Sequence, residues 1–180
     1  MNVKLKIEEL ENEVIFLRQT LREDFEDLYK QGGHQIIWEQ HSEKDRYKKD
    51  KFLEYFNSGI KNEFGSLTII NKNNNKIVGW TRLYDFKEED LSVKLGYTFL
   101  GKDYWGSNIN YNVKKLILDY VFSFLNTVYF DVYEKNIRSQ NSVMKLGGIL
   151  NKINSNKHEY ILTKKEWSNG TRTRVNVKKS

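Results

Sequence analysis

Residues 92–122 read SVKLGYTFLGKDYWGSNINYNVKKLILDYVF, and the hydrophobic period changes inside this stretch. From Ser92 to Leu100 residues with β preference dominate, which predicts a strand, with Gly96 marking a bulge or a close backbone approach. From Ile109 onward the period is helical. Ile109, Val113, Leu116, Ile117, Tyr120, Val121 and Phe124 fall at i, i+4, i+7, i+8, i+11, i+12 and i+15, one apolar stripe on one helix. Between the two periods lies Tyr104-Trp105-Gly106-Ser107-Asn108-Ile109-Asn110, a strand-to-helix junction. A chain entering a helix N-terminus offers unpaired N–H groups and the positive end of the helix dipole, which suits a phosphate. Ser107 and Asn108 are the candidate N-caps, and Lys102 adds a point charge. The junction holds one glycine where phosphate-cradling loops usually hold more, so an ordinary turn is the competing reading.

Working outward, Thr127–Tyr133 predicts another strand, and Asn136-Ile137-Arg138-Ser139 opens a short helix over 136–147 that stops at Gly147-Gly148. A right-handed crossover sets strands 92–100 and 127–133 side by side. If their C-terminal ends part, both helix starts face one crevice. Plain helix capping is the alternative for Asn136 and Ser139.

Upstream, Val14-Ile15-Phe16-Leu17 suits a first strand, and Phe25, Leu28 and Tyr29 share a helical face. Phe52, Leu53, Phe56 and Ile60 repeat at helical spacing within 43–60. Residues 66–70 and 76–84 flank an Asn-rich turn at 71–75 as a hairpin. Ile149–Ile153 and His158–Leu162 close as a strand pair. The order is strand, two helices, three strands, helix, strand, helix, two strands, which predicts one domain over 1–167 with a basic tail over 168–180.

The composition narrows the function classes. The chain has 180 residues, 38% hydrophobic and 14% aromatic, with no cysteine and no proline. Disulfides, thiolate metal sites and a cysteine nucleophile are excluded. The first residues are charged throughout, unlike a signal peptide, and no apolar run approaches the roughly 20 residues of a membrane span. A cytoplasmic setting is expected. The net charge of +6 is interspersed with acidic residues except in the tail TRTRVNVKKS, so a solvated tail is preferred over nucleic-acid binding.

The runs GYTFLGKDYWGSNINYNVKKLILDYVF and VYFDVYEKNIRSQNSVMKLGG resemble the core of the GCN5-related N-acetyltransferases, most closely the branch that includes the ribosomal-protein N-terminal acetyltransferases. The likeness extends from Val14 to about Trp167. It implies an α+β (α/β) fold with a mixed, mostly antiparallel sheet of about seven strands and a V-shaped splay, flanked by about four helices. It also implies acetyl-CoA as co-substrate, no metal, and a monomer or homodimer.

Position by position, the resemblance implies that Tyr104, Trp105, Gly106, Ser107, Asn108 and Ile109 wrap the pyrophosphate. Tyr97, Thr98 and Phe99 run beside the pantetheine arm, and a backbone N–H there polarises the thioester carbonyl. Asn136 binds the pantetheine, and Ser139 lies near the sulfur. Two positions depart from the family pattern. Asn108 stands where the loop usually has Gly or Ala, and its tolerance of left-handed angles would keep the loop's shape. Val143 stands where many members carry a tyrosine acid, which leaves Ser139 or solvent to serve the leaving thiolate.

Transfer to an amine that titrates near ~10 needs a proton acceptor at neutral pH. Glu134 at the strand end and His41 after the first helix are the candidates. Trp38, Arg82, Tyr84 and His41 are candidate acceptor-binding residues, with a place in the core as the alternative for the aromatics. Arg82 stands out as a charge inside an apolar strand, explained by a cleft or by pairing with Asp85 or Glu88. The expected function is acetyl transfer from acetyl-CoA to a primary amine of a small molecule or a protein N-terminus. The alternatives are an inert acetyl-CoA-binding module and a basic nucleic-acid-binding protein.

Overall fold

A computed structural model describes residues 4–177, with 171–177 described by backbone alone. Among the described residues the strands are β1 (Glu9–Glu11), β2 (Ile15–Gln19), β3 (Leu67–Asn71), β4 (Lys76–Lys87), β5 (Ser92–Leu100), β6 (Thr127–Tyr133), β7 (Ile149–Asn154) and β8 (Lys157–Thr163). The helices are α1 (Phe25–Gly32), α2 (Gln35–Trp38), α3 (Lys49–Ile60), α4 (Ile109–Val121), α5 (Ile137–Leu146) and α6 (Lys164–Val177). All eight strands form one sheet in the order β1-β2-β3-β4-β5-β6-β8-β7. Every neighbouring pair is antiparallel except β5 and β6, which run parallel on either side of α4. The expected mixed, mostly antiparallel sheet is present, with one strand and two helices more than expected.

The additions are short or charged. Glu9–Glu11 pairs with β2 through Leu10↔Leu17, yet Glu-Leu-Glu has too little apolar alternation to announce a strand. The single turn of α2 is shorter than any detectable period. Segment 43–60 divides into a 3-10 turn at Lys44–Tyr47 and helix α3. The part of the expected tail over 168–177 continues the backbone of α6, while 178–180 and the side chains of TRTRVNVKKS lie outside the described residues.

Two apolar clusters hold the sheet. Ile109, Val113, Ile117, Leu118 and Val121 of α4 pack with Ile15, Leu17, Ile69, Val78, Leu95 and Val128. Leu28, Trp38, Phe52, Tyr55 and Phe56 of α1, α2 and α3 pack with Trp80 and Phe99. Phe99 and Leu100 are adjacent yet belong to different clusters, as alternating strand side chains require. Each fully buried aromatic or aliphatic chain contributes about 1.5–3 kcal/mol. The aromatic cluster therefore fixes α1, α2 and α3 against the middle of β4 and β5.

Candidate functional site

β5 and β6 pair only at Ser92↔Thr127, Val93↔Val128 and Lys94↔Tyr129. Beyond these positions they part. β5 stays bonded to β4 through Arg82↔Gly96, Trp80↔Phe99 and Gly79↔Leu100, and β6 stays bonded to β8 as far as Tyr133↔Lys157. Each strand thus turns an unpaired backbone edge into a widening wedge, a place where an extended ligand with amide groups can add as a strand would.

The β4–β5 register slips between Trp80 and Arg82, so a bulge lies at Tyr97 and Thr98. The expectation placed the irregularity at Gly96, but the left-handed residue is Tyr97, with φ 51°. A non-glycine residue there costs about 1–2 kcal/mol. Its surroundings hold it in place: Tyr55 Oη donates to the Tyr97 carbonyl, and Tyr84 packs edge-on to its ring. On the α4 side, Lys114 Nζ donates to Thr98 Oγ1 at 2.7 Å and lies 5.9 Å from the Phe130 ring centre. Both contacts are beyond the last paired residues, so a buried amine bridges the gap where the strands separate. Burial lowers its pKa to about 7.

The loop between β5 and α4 begins with a 3-10 turn at Lys102–Tyr104. Trp105 Nε1 donates to the Leu100 carbonyl at 3.1 Å, folding the indole back against the strand end. Gly106 takes φ 74° and is exposed. Ser107 Oγ donates to the Tyr104 carbonyl at 2.6 Å and accepts from Ile109 N at 3.3 Å. Asn108 is the N-cap residue by backbone, at φ −79°, with no side-chain cap. The expectation that Asn108 preserves the loop by adopting left-handed angles is corrected: the left-handed position is Gly106, and Asn108 is already helical.

The second helix start lies beside the first. Asn136 is 5% exposed and its Oδ1 accepts from Ser139 N at 3.1 Å, so it caps α5. The Arg138 guanidinium lies 3.6 Å over the Trp105 ring centre, and Asn110 Nδ2 donates to Ser142 Oγ at 2.7 Å. These two contacts tie α5 to the loop before α4 and to the first turn of α4, beside the wedge. Val143 is buried in the apolar core, whereas Ser139 is half-buried.

The acceptor candidates separate. Trp38 has no exposed surface; it packs among Phe52, Tyr55 and Phe99 and donates from Nε1 to the Gly32 carbonyl at 2.7 Å. It supports the wall from behind, a correction to the expectation that it lines the site. His41 packs against Trp38, and burial, followed by the charges of Arg46 and Arg138, lowers its pKa to about 4. Tyr84 is half-buried, its phenol pushed up by burial and then by Asp131 and Tyr97. Arg82 is 6% exposed and makes no ion pair with Asp85, which instead holds Lys94 at 3.0 Å. Lys94 also meets Asp131 at 3.1 Å. Glu134 is exposed at the end of β6, with its backbone bonded to Asn156 and Gln140.

Sequence reasoning missed Tyr55, Arg46, Lys114 and the Arg138–Trp105 pair as parts of the site. Lys114 left a signal, since it precedes Ile117 and Leu118 by one turn and both are fully buried. The others depend on contacts across the chain. Among the described residues no cluster of His, Asp and Glu suits a metal, and no helix is long and apolar enough to cross a membrane.

Comparison with known proteins agrees with this architecture. No curated protein sequence matches the chain. A GCN5-related N-acetyltransferase from Brucella melitensis superposes with TM-score 0.83 at 13% identity, covering 94% of this chain and 84% of that one. A spermidine N-acetyltransferase from Vibrio cholerae, solved with CoA and spermine, gives TM-score 0.69 at 15% identity over 87% and 99%. FdhC, a nucleotide-linked sugar GNAT solved in the apo state, gives 0.69 at 18% over 93% and 96%. At these identities the likeness shows the fold alone. The family model described as the acetyltransferase (GNAT) domain matches residues 15–149. The chain belongs to the GNAT acetyltransferase family.

Proposed function

We propose that the protein moves an acetyl group directly from acetyl-CoA to a primary amine of a small molecule or a peptide N-terminus, in the cytoplasm and without a metal. The observation that carries the reading is the parting of β5 and β6 after three pairs, with two helix N-termini tied together beside the opening. The residues present fit the co-substrate. The free edge of Tyr97, Thr98 and Phe99 suits an extended amide-bearing arm, and the loop 104–109 with the start of α4 suits a diphosphate.

Acetyl-CoA supplies an activated thioester. The amine forms a bond to the thioester carbon as the C–S bond breaks, and a backbone N–H at the Tyr97 bulge meets the charge that develops on the carbonyl oxygen. Ser139 Oγ donates to the departing sulfur, and Asn136 orients the arm. The amine's proton passes to Glu134 or through His41 to solvent. Arg82 and Tyr84 face the acceptor.

Similar folds serve different acceptors: one structural neighbour is a spermidine N-acetyltransferase and another a nucleotide-linked sugar GNAT. The fold therefore leaves the amine open. A screen of small amines and N-terminal peptides for thiol release from acetyl-CoA tests the reading, with Ser139→Ala and Asn136→Ala beside wild type. Transfer by wild type that both variants match would show the site assignment to be wrong. A second reading, an acetyl-CoA-binding module without catalysis, rests on Val143 occupying a core position where an acid would stand. Thermal stabilisation by acetyl-CoA with no thiol release across the screen would favour it.

A further inference from the structure

Arg82 is a nearly buried guanidinium that no carboxylate among the described residues neutralises. Nη1 donates to Ser58 Oγ at 3.1 Å, the guanidinium lies 3.6 Å over the Tyr97 ring centre, and Nε is buried without a hydrogen-bond partner among the described residues. A buried cation left this way is costly, and the cost persists unless an anion arrives to meet it. The obvious intramolecular partners are engaged elsewhere: Asp85 and Asp131 both hold Lys94.

A second guanidinium lies near the same rings. Arg46, on the 3-10 turn before α3, lies 4.6 Å over the Tyr55 ring centre and 5.5 Å from that of Trp38. The Tyr55 and Tyr97 rings are 6.2 Å apart, so the two arginines flank one aromatic pair. Both charges act on the Tyr55 phenol, opposing the upward push of burial. That phenol anchors the bulge at the point where the strands part. The region is therefore positive, and Arg138 adds to it through its effect on His41. Arg138 itself is stacked on Trp105 in the loop leading to α4, which leaves Arg82 and Arg46 as the guanidinia at the Tyr55–Tyr97 pair.

We propose that the acceptor amine carries a phosphate or carboxylate, received by Arg82 beside the Tyr55–Tyr97 pair and drawn there by the added charge of Arg46. The planar fork of arginine matches either group, and the charge-assisted bonds would satisfy the orphaned Nε. The same field repels a polycation. This inference rests on the transfer reading, because it assigns the acceptor's second functional group.

The test uses matched amines with full-length protein: glucosamine 6-phosphate against glucosamine, β-alanine against β-alaninamide, and spermidine as a polycation. Transfer kinetics are measured with acetyl-CoA, and thermal shifts are measured with saturating CoA. The anionic member of at least one pair is expected to have a KM lower by about ten-fold or more, or to stabilise the CoA complex where its neutral twin does not. The pair that shows the preference distinguishes phosphate from carboxylate. Arg82→Gln and Arg46→Gln are expected to erase the preference through KM more than kcat, while Arg82→Lys restores part of it. Arg46 is only half-buried, so its variant remains informative if Arg82→Gln folds poorly. Equal behaviour of the twins in both readouts, a preference for spermidine, or a preference unchanged in both Gln variants would overturn the proposal. Failure of the transfer reading is separate: it appears as no thiol release from acetyl-CoA with any amine, whereas anion preference is still read from thermal shifts.

Discussion

The Arg138 guanidinium stacks on the Trp105 indole at 3.6 Å, joining the loop before α4 to the first turn of α5. Neither residue is close to the other in sequence, yet the pair sets the distance between the two helix starts that border the wedge. A stacked pair of this kind contributes about 0.5–1 kcal/mol when part-exposed. Arg138→Met and Trp105→Leu are each expected to raise the KM for acetyl-CoA about three-fold, from the same loss of positioning. The double variant should be no worse than the poorer single one. Steady-state kinetics on the four proteins checks this, since independent roles would multiply instead.

Gly106 is the left-handed residue of the loop, and a Cβ added there meets nothing within 4 Å. The cost of Gly106→Ala is therefore one of backbone angle, about 1–2 kcal/mol. The loop should relax out of its cradle shape, raising the KM for acetyl-CoA several-fold while the circular dichroism spectrum stays unchanged. Asn108→Gly, at a helical position, should leave acetyl-CoA affinity as it is.

Lys114 gives a pH signature. Its amine is fully buried and titrates near 7 in the folded chain against 10.5 when free. Below pH 7 it is charged in both folded and unfolded chains, and the full cost of burying it is present. Between 7 and 10.5 the native amine is neutral while the unfolded chain keeps its proton, so this contribution to stability rises with pH. Lys114→Met should therefore melt above wild type at about pH 6, with the gap closing toward about pH 10. Thermal melts across that range check the sign.

Asp24 gives the opposite signature. It accepts from both Arg18 Nη1 and Nη2 at 2.7 Å, from Leu21 N at 2.9 Å and from Thr68 Oγ1 at 2.9 Å. Burial pushes its pKa up, but the bonds from Arg18, Leu21 and Thr68 outweigh it and hold the carboxyl below 3.8. The stabilisation is present above 3.8 and is lost as pH falls through the lower folded value. Asp24→Asn should cost about 2 kcal/mol at neutral pH, discounted for the partial exposure of Arg18. Denaturant titrations should show that difference narrowing in acid.

Much of the fold was legible in local pattern. The change of period between Leu100 and Ile109 marks β5, its loop and α4, and the Asn136-to-Gly148 segment marks α5 with both of its caps. The Glu9–Glu11 strand was hidden because its pairing with β2, rather than its own alternation, makes it a strand. The loop and the Asn136–Ser139 pair were also legible as site candidates, since helix starts carry local capping signals. Whether Trp38 lines the site or belongs to the core stayed open, because an aromatic in a cluster and an aromatic lining a wall have the same sequence signature.

By itself, the sequence determined the order of seven of the strands and four of the helices, the single crossover, and where two helix starts follow two strands, because these depend on residues within a few positions of one another. Only the tertiary structure decided that β5 and β6 part after Lys94 and Tyr129, that the left-handed angles fall on Tyr97 and Gly106, and that Asn108 is helical. It also decided that Asp85 turns to Lys94 and leaves Arg82 unpaired, and that Lys114 is buried beside Thr98. Ion pairing and desolvation arise between groups distant in the chain, and their outcome is set by packing that no local period records.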